Sequence, residues 1–249
     1  MKIRIKEAQQ TPQAIFMAGP AGAGKSFVSK SLPLSDFHII NVDDTYEELL
    51  KAAGIGMKIK DFTSNELSQA AKLMAQAQAK TKEKYAKALA NLHDIIIDGT
   101  GAASRPLLKK KVELEALGYE TMMVMIYVSP VTSLERNAGR DRSLLPGTVL
   151  QTWEKVNSNI PIYKKEFGDN FILINNDPKD AETDFDAQEI KRRFFDTSKA
   201  KGKPKTPEEI AKRKAEVEAM NKSIEQLVKQ KPDFTSSTDA VSKIKAFIK

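Results

Sequence analysis

Up to about residue 178, the hydrophobic positions of this chain alternate between two arrangements. Ala14-Ile15-Phe16-Met17-Ala18, Phe37-His38-Ile39-Ile40-Asn41-Val42, Asp94-Ile95-Ile96-Ile97-Asp98, Thr121 to Val128 and Phe171-Ile172-Leu173-Ile174 are short runs, apolar nearly throughout. Runs of that kind suit strands covered on both faces. The stretches between them have helical composition: Lys25 to Leu32, Asn65 to Leu92 behind a cap at Ser64 or Thr63, and Ser104 to Leu117 closed by Gly118. Gly147 to Phe167 is a further helical stretch, which Pro161 must kink or break. Strands alternating with helices predict an α/β domain over residues 1–178, its mostly parallel five-stranded sheet flanked by helices.

Composition changes beyond Asp177. Residues 198–207 read as a linker, Pro207 to Lys229 as a charged helix and Ala240 to Lys249 as a short amphipathic one, so 179–249 form a charged helical C-terminal extension. The net charge of +7 belongs to that end. Residues 191–249 hold 16 Lys and Arg against 8 Asp and Glu, whereas residues 1–190 hold 24 against 25. A basic tail suits an acidic partner such as nucleic acid, and equally serves solubility alone. With no Cys and two His, disulfides, thiolate metal sites and a cysteine nucleophile are excluded. The longest apolar run falls far short of the roughly 18 residues that span a bilayer, and Met1-Lys2-Ile3-Arg4-Ile5-Lys6 is not a signal peptide. A soluble cytoplasmic protein without a membrane segment is expected.

Between the first strand and the first helix stands Gly19-Pro20-Ala21-Gly22-Ala23-Gly24-Lys25-Ser26, the phosphate-binding pattern G-x-x-x-x-G-K-[ST] in the place that pattern requires. Glycines let backbone N–H groups curl around a phosphate, and the helix N-terminus adds partial positive charge. Gly19, Ala21, Gly22, Ala23, Gly24, Lys25, Ser26 and Phe27 are therefore the nucleotide-binding candidates, with Lys25 aimed at the β and γ oxygens and Ser26 at Mg²⁺.

The second strand ends in Asn41-Val42-Asp43-Asp44, and strand C-termini in a parallel sheet line one crevice. One carboxylate there can orient an acceptor hydroxyl and take its proton. Asp43 is the candidate base and Asp44 its competitor, while the acid that does not act is expected to cap a helix at Thr45 to Leu50. Asp98-Gly99-Thr100-Gly101 closes the third strand at the same crevice, where Asp98 serves either Mg²⁺ or the acceptor, with Thr100, or else caps a tight turn. Arg136-Asn137-Ala138-Gly139-Arg140-Asp141-Arg142 follows the fourth strand. Arg136, Arg140 and Arg142 suit a lid that neutralises charge on a transferred phosphoryl group, and the spacing puts Arg136 and Arg140 on one helix face.

In these segments, together with Pro146, Trp153 and Asn159, residues 15–177 resemble the P-loop kinases of the polynucleotide 5′-kinase and zeta-toxin group, especially phage-type zeta-toxin-like proteins. The resemblance implies a P-loop kinase fold, ATP and Mg²⁺ as cofactors, Asp43 as the activating base, and Arg136, Arg140 and Arg142 as lid arginines. Zeta toxins phosphorylate a UDP-activated amino sugar, and certain phage relatives phosphorylate 5-hydroxymethyluracil in DNA. Polynucleotide kinases place an arginine shortly after the acid pair, where this chain has Thr45-Tyr46-Glu47. The expected reaction is γ-phosphoryl transfer to a hydroxyl on a nucleic acid or nucleotide, with a small-molecule acceptor as the runner-up. A motor-type P-loop ATPase fits less well, because Ile95-Ile96-Ile97-Asp98-Gly99 lacks the second acid such enzymes carry.

Overall fold

The computed structural model describes residues 11–31, 34–57, 62–178, 207–230 and 232–248. Five strands, β1 (Gln13–Ala18), β2 (His38–Ile40), β3 (Ile95–Asp98), β4 (Glu120–Tyr127) and β5 (Phe171–Asn175), form one sheet in the order β2-β3-β1-β4-β5. Every pairing is parallel, with Phe16 opposite Ile97 on one side of β1 and Met123 on the other. The α/β architecture expected from the apolar runs is thus the one observed.

Strand periodicity divides the core in two. Ala14, Phe16 and Ala18 of β1 face one cluster with Met123, Met125 and Tyr127 of β4. Ile15 and Met17 face the other with Met122, Val124 and Ile126. This alternation explains why the strands read as continuous apolar runs: each face meets its own layer of helices.

The first layer holds Leu114 of α4 (Ser104–Ala116), Val149, Leu150, Trp153 and Val156 of α6 (Pro146–Ser158), and Tyr163 and Phe167 of α7 (Ile160–Phe167). Trp153 is fully buried and donates its indole N–H to Val128 O at 2.7 Å. The break expected at Pro161 falls at Asn159, which puts the proline in the first turn of α7, where its missing N–H has no helical partner.

The second face is covered by Val28 of α1 (Lys25–Ser31), by Leu34 and Phe37, and by Ala240, Ile244 and Phe247 of the last helix, α9 (Ser237–Phe247). The preceding helix, α8 (Pro207–Lys229), buries Ile224 in the first cluster. Between α8 and α9 the chain grips the outer edge of β5, where Thr235 N–H donates to Leu173 O at 2.8 Å and Leu173 N–H to Thr235 Oγ1 at 3.2 Å. An exposed strand edge is thereby closed. Gln13 Nε2 donates to Phe247 O, tying the final helix to the first strand. Of the basic C-terminal extension, Met220, Ile224, Leu227 and Val228 of α8 join the first cluster beside α6 and α9 covers the second face, while the expected linker up to residue 206 lies outside the described residues.

A third, smaller cluster joins α2 (Val42–Ala52) to α3 (Ser64–Ala90) through Tyr46, Leu50, Ile55, Ala70 and Ala77. Thr63, one of the two expected caps, accepts from Glu66 N–H, while the Glu66 carboxylate accepts from Thr63 N–H. That reciprocal pair fixes the start of the long helix.

Because α9 supplies fully buried side chains to the second sheet face, Ile244→Ala should cost about 2 to 4 kcal/mol in chemical denaturation. Val241→Ala, on the exposed flank of the same helix, should stay within about 0.5 kcal/mol. Equal losses from both would refute the assignment of that face to the core.

Candidate functional site

β1 ends at Ala18 and α1 begins at Lys25, so the glycine-rich segment is a loop held at both ends. Its backbone carbonyls are engaged from behind. Ser133 Oγ donates to Ala21 O at 2.6 Å, Arg136 Nη1 to Gly22 O at 3.3 Å, and Asn176 Nδ2 to Ala23 O at 2.8 Å. Lys25 Nζ donates to Gly19 O at 3.2 Å, and Gly19 N–H donates to Thr100 O at 3.1 Å. With these acceptors occupied, the loop and the first N–H groups of α1, which lack partners in their own helix, form a nest suited to an anion. Gly22 has φ +75°, and a Cβ there would lie 2.8 Å from Ser133 O, so only glycine lets loop and support approach so closely.

Lys25 is half-buried. Burial lowers its pKa, with Asp98 pulling it back up and Arg140 lowering it again. A partly desolvated ammonium of this kind gains when an anion arrives. Ser26 is exposed at the start of α1, and Phe27 is 71% exposed beside it while its N–H donates to Gly24 O.

The acids sit differently from expectation. β2 stops at Ile40, and Asn41 turns the chain into α2 by accepting Asp43 N–H at 2.8 Å. Asp43 and Asp44 therefore occupy the first turn of a helix and not a strand tip, where the positive helix end favours carboxylates. Neither acid is the cap, which corrects that expectation: an Asn precedes them and takes the role. Both remain at the crevice, since their charges reach Lys25 and Asp98. Asp98 ends β3 and accepts Asn41 Nδ2 at 2.9 Å through Oδ2, while its buried Oδ1 has no partner among the described residues. Burial pushes the Asp98 carboxyl up to about 6, with Lys25 opposing and Asp44 and Asp43 adding to the shift. Thr100 is exposed and accepts Ala102 N–H at 3.2 Å, shaping the turn after β3.

The three arginines part company. α5 (Pro130–Ala138) ends before Gly139, so Arg136 and Arg140 do not share a helix face as their spacing implied. Arg136 is directed to the loop backbone and to Asn176 O at 3.0 Å. Arg140 is exposed, and its charge is felt at Lys25. Arg142 crosses to α2, where Nη2 lies 2.7 Å from Asp43 Oδ1 and Nη1 lies 3.7 Å from Glu47 Oε1. Its guanidinium also stands 5.5 Å from the Tyr46 ring centroid.

The loop, Lys25, Ser26, Asp43, Asp44, Asp98, Thr100, Arg140 and Arg142 thus surround one crevice at the C-terminal end of the sheet, with Arg136 behind the loop. Sequence reasoning passed over Asn41, Ser133 and Asn176, which hold these groups in place. Only Asn41 carries a local signal, an N-cap residue directly before an acidic first turn. Buried Asn137 is a further support: its amide accepts Leu144 N–H at 3.0 Å and donates to Leu144 O at 2.9 Å, pinching the segment that carries Arg140 and Arg142.

This sheet order, with a phosphate loop after its central strand and Asp98 at the end of the neighbouring strand, defines a P-loop kinase fold. The model of the zeta toxin family matches residues 2–149, more than half of the chain, and the chain belongs to that family as a zeta-toxin-like P-loop kinase. Among solved structures, the AvrRxo1-ORF1:AvrRxo1-ORF2 complex with sulphate ions shares 14% identity at a TM-score of 0.51, covering 96% of this chain and 81% of that one. The same complex with ATP shares 12% at 0.51 with the same coverage. The PezAT toxin-antitoxin system of Streptococcus pneumoniae shares 18% at 0.44, covering 91% of each chain. For the two AvrRxo1 complexes, at such identities, the likeness is one of fold. No curated protein matches the chain. Among the described residues, no helix is long and apolar enough to cross a membrane.

The raised Asp98 carboxyl makes stability depend on pH in the nucleotide-free protein. Between its ordinary 3.8 and about 6 the folded chain holds a proton that the unfolded chain has released, so stability falls as pH rises through that window. Asp98→Asn removes the cost of burying the charge. Its advantage over the parent in denaturant unfolding should be near zero at pH 4 and grow to about 2 kcal/mol by pH 7. A difference that stays flat across this range would exclude a buried, elevated Asp98.

Proposed function

We propose that this kinase transfers the γ-phosphoryl group of ATP to an acceptor hydroxyl bound between the phosphate loop and the first turn of α2, with Asp43 as the base. The observation that carries this reading is the convergence of Lys25, Asp43, Asp44 and Asp98 within electrostatic reach of one another. The loop N–H groups and Lys25 receive the phosphates. The acceptor oxygen forms its bond to the γ-phosphorus as the bond to the β–γ bridging oxygen breaks. ADP departs with that electron pair, and the acceptor proton passes to Asp43. Arg140, whose charge is felt at Lys25, is the arginine we assign to meet charge on the transferred group.

Mg²⁺ fits the available donors. Among the described residues no cluster of three or more His, Asp or Glu stands ready to hold a metal. A nucleotide-borne Mg²⁺ needs less, one or two protein oxygens besides the phosphates, and the exposed Ser26 hydroxyl and the unpartnered Asp98 Oδ1 provide them. When bound, the ion neutralises charge on the phosphate oxygens.

For the acceptor, we favour a hydroxyl on a nucleic acid or nucleotide, either a hydroxymethylated base in DNA or a 5′ end. Its support is the basic surplus of residues 191–249. A second reading, a small acceptor such as a UDP-amino sugar, draws on membership of the zeta toxin family. Incubation with γ-labelled ATP and 5′-hydroxyl oligonucleotides, hydroxymethyl-base DNA, nucleotides and UDP-sugars separates the two by which acceptor gains label.

Lys25→Ala should abolish transfer and weaken ATP binding while leaving the fold intact. Asp43→Asn should leave ATP affinity unchanged and lower kcat by about 10² to 10⁴, the range for loss of a general base, and Asp44→Asn should do less. A reversed ranking in steady-state kinetics would move the role to Asp44.

A further inference from the structure

Asp43, Tyr46 and Glu47 stand at i, i+3 and i+4 on α2 and so share one helix face. All three meet Arg142. One guanidinium nitrogen pairs with Asp43 Oδ1 at 2.7 Å, the other lies 3.7 Å from Glu47 Oε1, and the plane stands 5.5 Å from the Tyr46 ring centroid. The Arg142 side chain is only 13% exposed, whereas that of Asp43 is 60% exposed. Arg142 Nη1 is buried and makes no hydrogen bond among the described residues, leaving Glu47 as the nearby anion that offsets its charge. The carrier segment is itself restrained, because Asn137 clamps Leu144 through two hydrogen bonds. These contacts draw Arg142 to the acceptor side of the crevice and away from the triphosphate.

We propose that Glu47 and Tyr46 are positioning residues that hold Arg142 against Asp43, so that Arg142 pins Oδ1 and leaves Oδ2 turned to the acceptor hydroxyl. The proposal rests on the reading of Asp43 as the base. A carboxylate 60% exposed and free at both oxygens samples several rotamers, whereas one charge-assisted hydrogen bond to a largely buried guanidinium favours one of them. The guanidinium needs its own supports, an anion near the second nitrogen and an aromatic face beneath the plane. Glu47 and Tyr46 supply them without touching substrate. In this arrangement the segment 139–145 divides its work, with Arg140 serving the phosphates and Arg142 serving the base.

The test uses the full chain, with ATP as donor and water as acceptor, reading release of inorganic phosphate, and a fluorescent ATP analogue to read nucleotide affinity. Glu47→Gln keeps shape and removes the anion. It should lower phosphate release about tenfold and leave analogue affinity and melting temperature unchanged. Tyr46→Phe keeps the ring and should retain activity, while Tyr46→Leu should lose as much as Glu47→Gln. In an Asp43→Asn background Glu47→Gln should add no further loss, because its effect passes through Asp43. If Asp43→Asn lowers release but Glu47→Gln stays within twofold of the parent, the positioning proposal fails and the base assignment stands. If Glu47→Gln multiplies the loss of Asp43→Asn, its role is general and the proposal also fails. If Asp43→Asn has no effect, the base assignment fails and takes this proposal with it.

Discussion

A loop that offers its N–H groups to a phosphate must first place its carbonyl oxygens elsewhere, and in this chain that requirement organises the surrounding structure. Ser133, Arg136 and Asn176 take the carbonyls of Ala21, Gly22 and Ala23. Two of them belong to α5 and the third follows β5, so the loop is only as well formed as the packing of β4 and β5 beside β1. An unbound carbonyl facing the hollow would repel a phosphate, and its rotation inward would displace an N–H. The glycines make the loop possible, but these three side chains decide which way it faces.

On the opposite wall the constraint is electrostatic. Asn41 starts α2 and also donates to Asp98, so one amide sets the direction of a helix and the position of a strand-end carboxylate. Three acids gather around a lysine, and the helix end and Lys25 reduce the repulsion among them. The crevice is therefore divided electrostatically, with backbone N–H groups and Lys25 on one side and carboxylates on the other.

Much of this was legible in the sequence where a local pattern carries the information. The phosphate loop, the five apolar strands, the break at Pro161 and the cap of α3 all follow from short-range rules. The start of α2 was misread because Val42 continues an apolar run, while the Asn41 side chain ends the strand before it. Arg136 donates to Gly22 O and Asn176 O, contacts that its place in the sequence does not reveal, because a guanidinium that supports a loop and one that meets a substrate look alike in sequence. The last helix was legible in part: the i, i+4, i+7 spacing of Ala240, Ile244 and Phe247 marks it as amphipathic, but which sheet face that stripe covers is a long-range contact that spacing does not carry.

The covering of the second sheet face by α9 bears on the order in which the molecule comes into being. β1 precedes every other described element, yet its hydrogen bond to Phe247 joins positions 234 apart in the chain. The matched family segment, residues 2–149, stops short of β5, Asn176 and α9. Contacts of such separation close late, since loop entropy must be overcome before they return stability. A growing chain on the ribosome would thus expose its phosphate-loop sequence long before Asn176 could turn Ala23, or α9 could cover the strand behind the loop. A nucleotide that binds only the completed arrangement stabilises it by mass action, so nucleotide affinity becomes a mark of α9 being in place. The enzyme would begin to act only once α9 has left the ribosome.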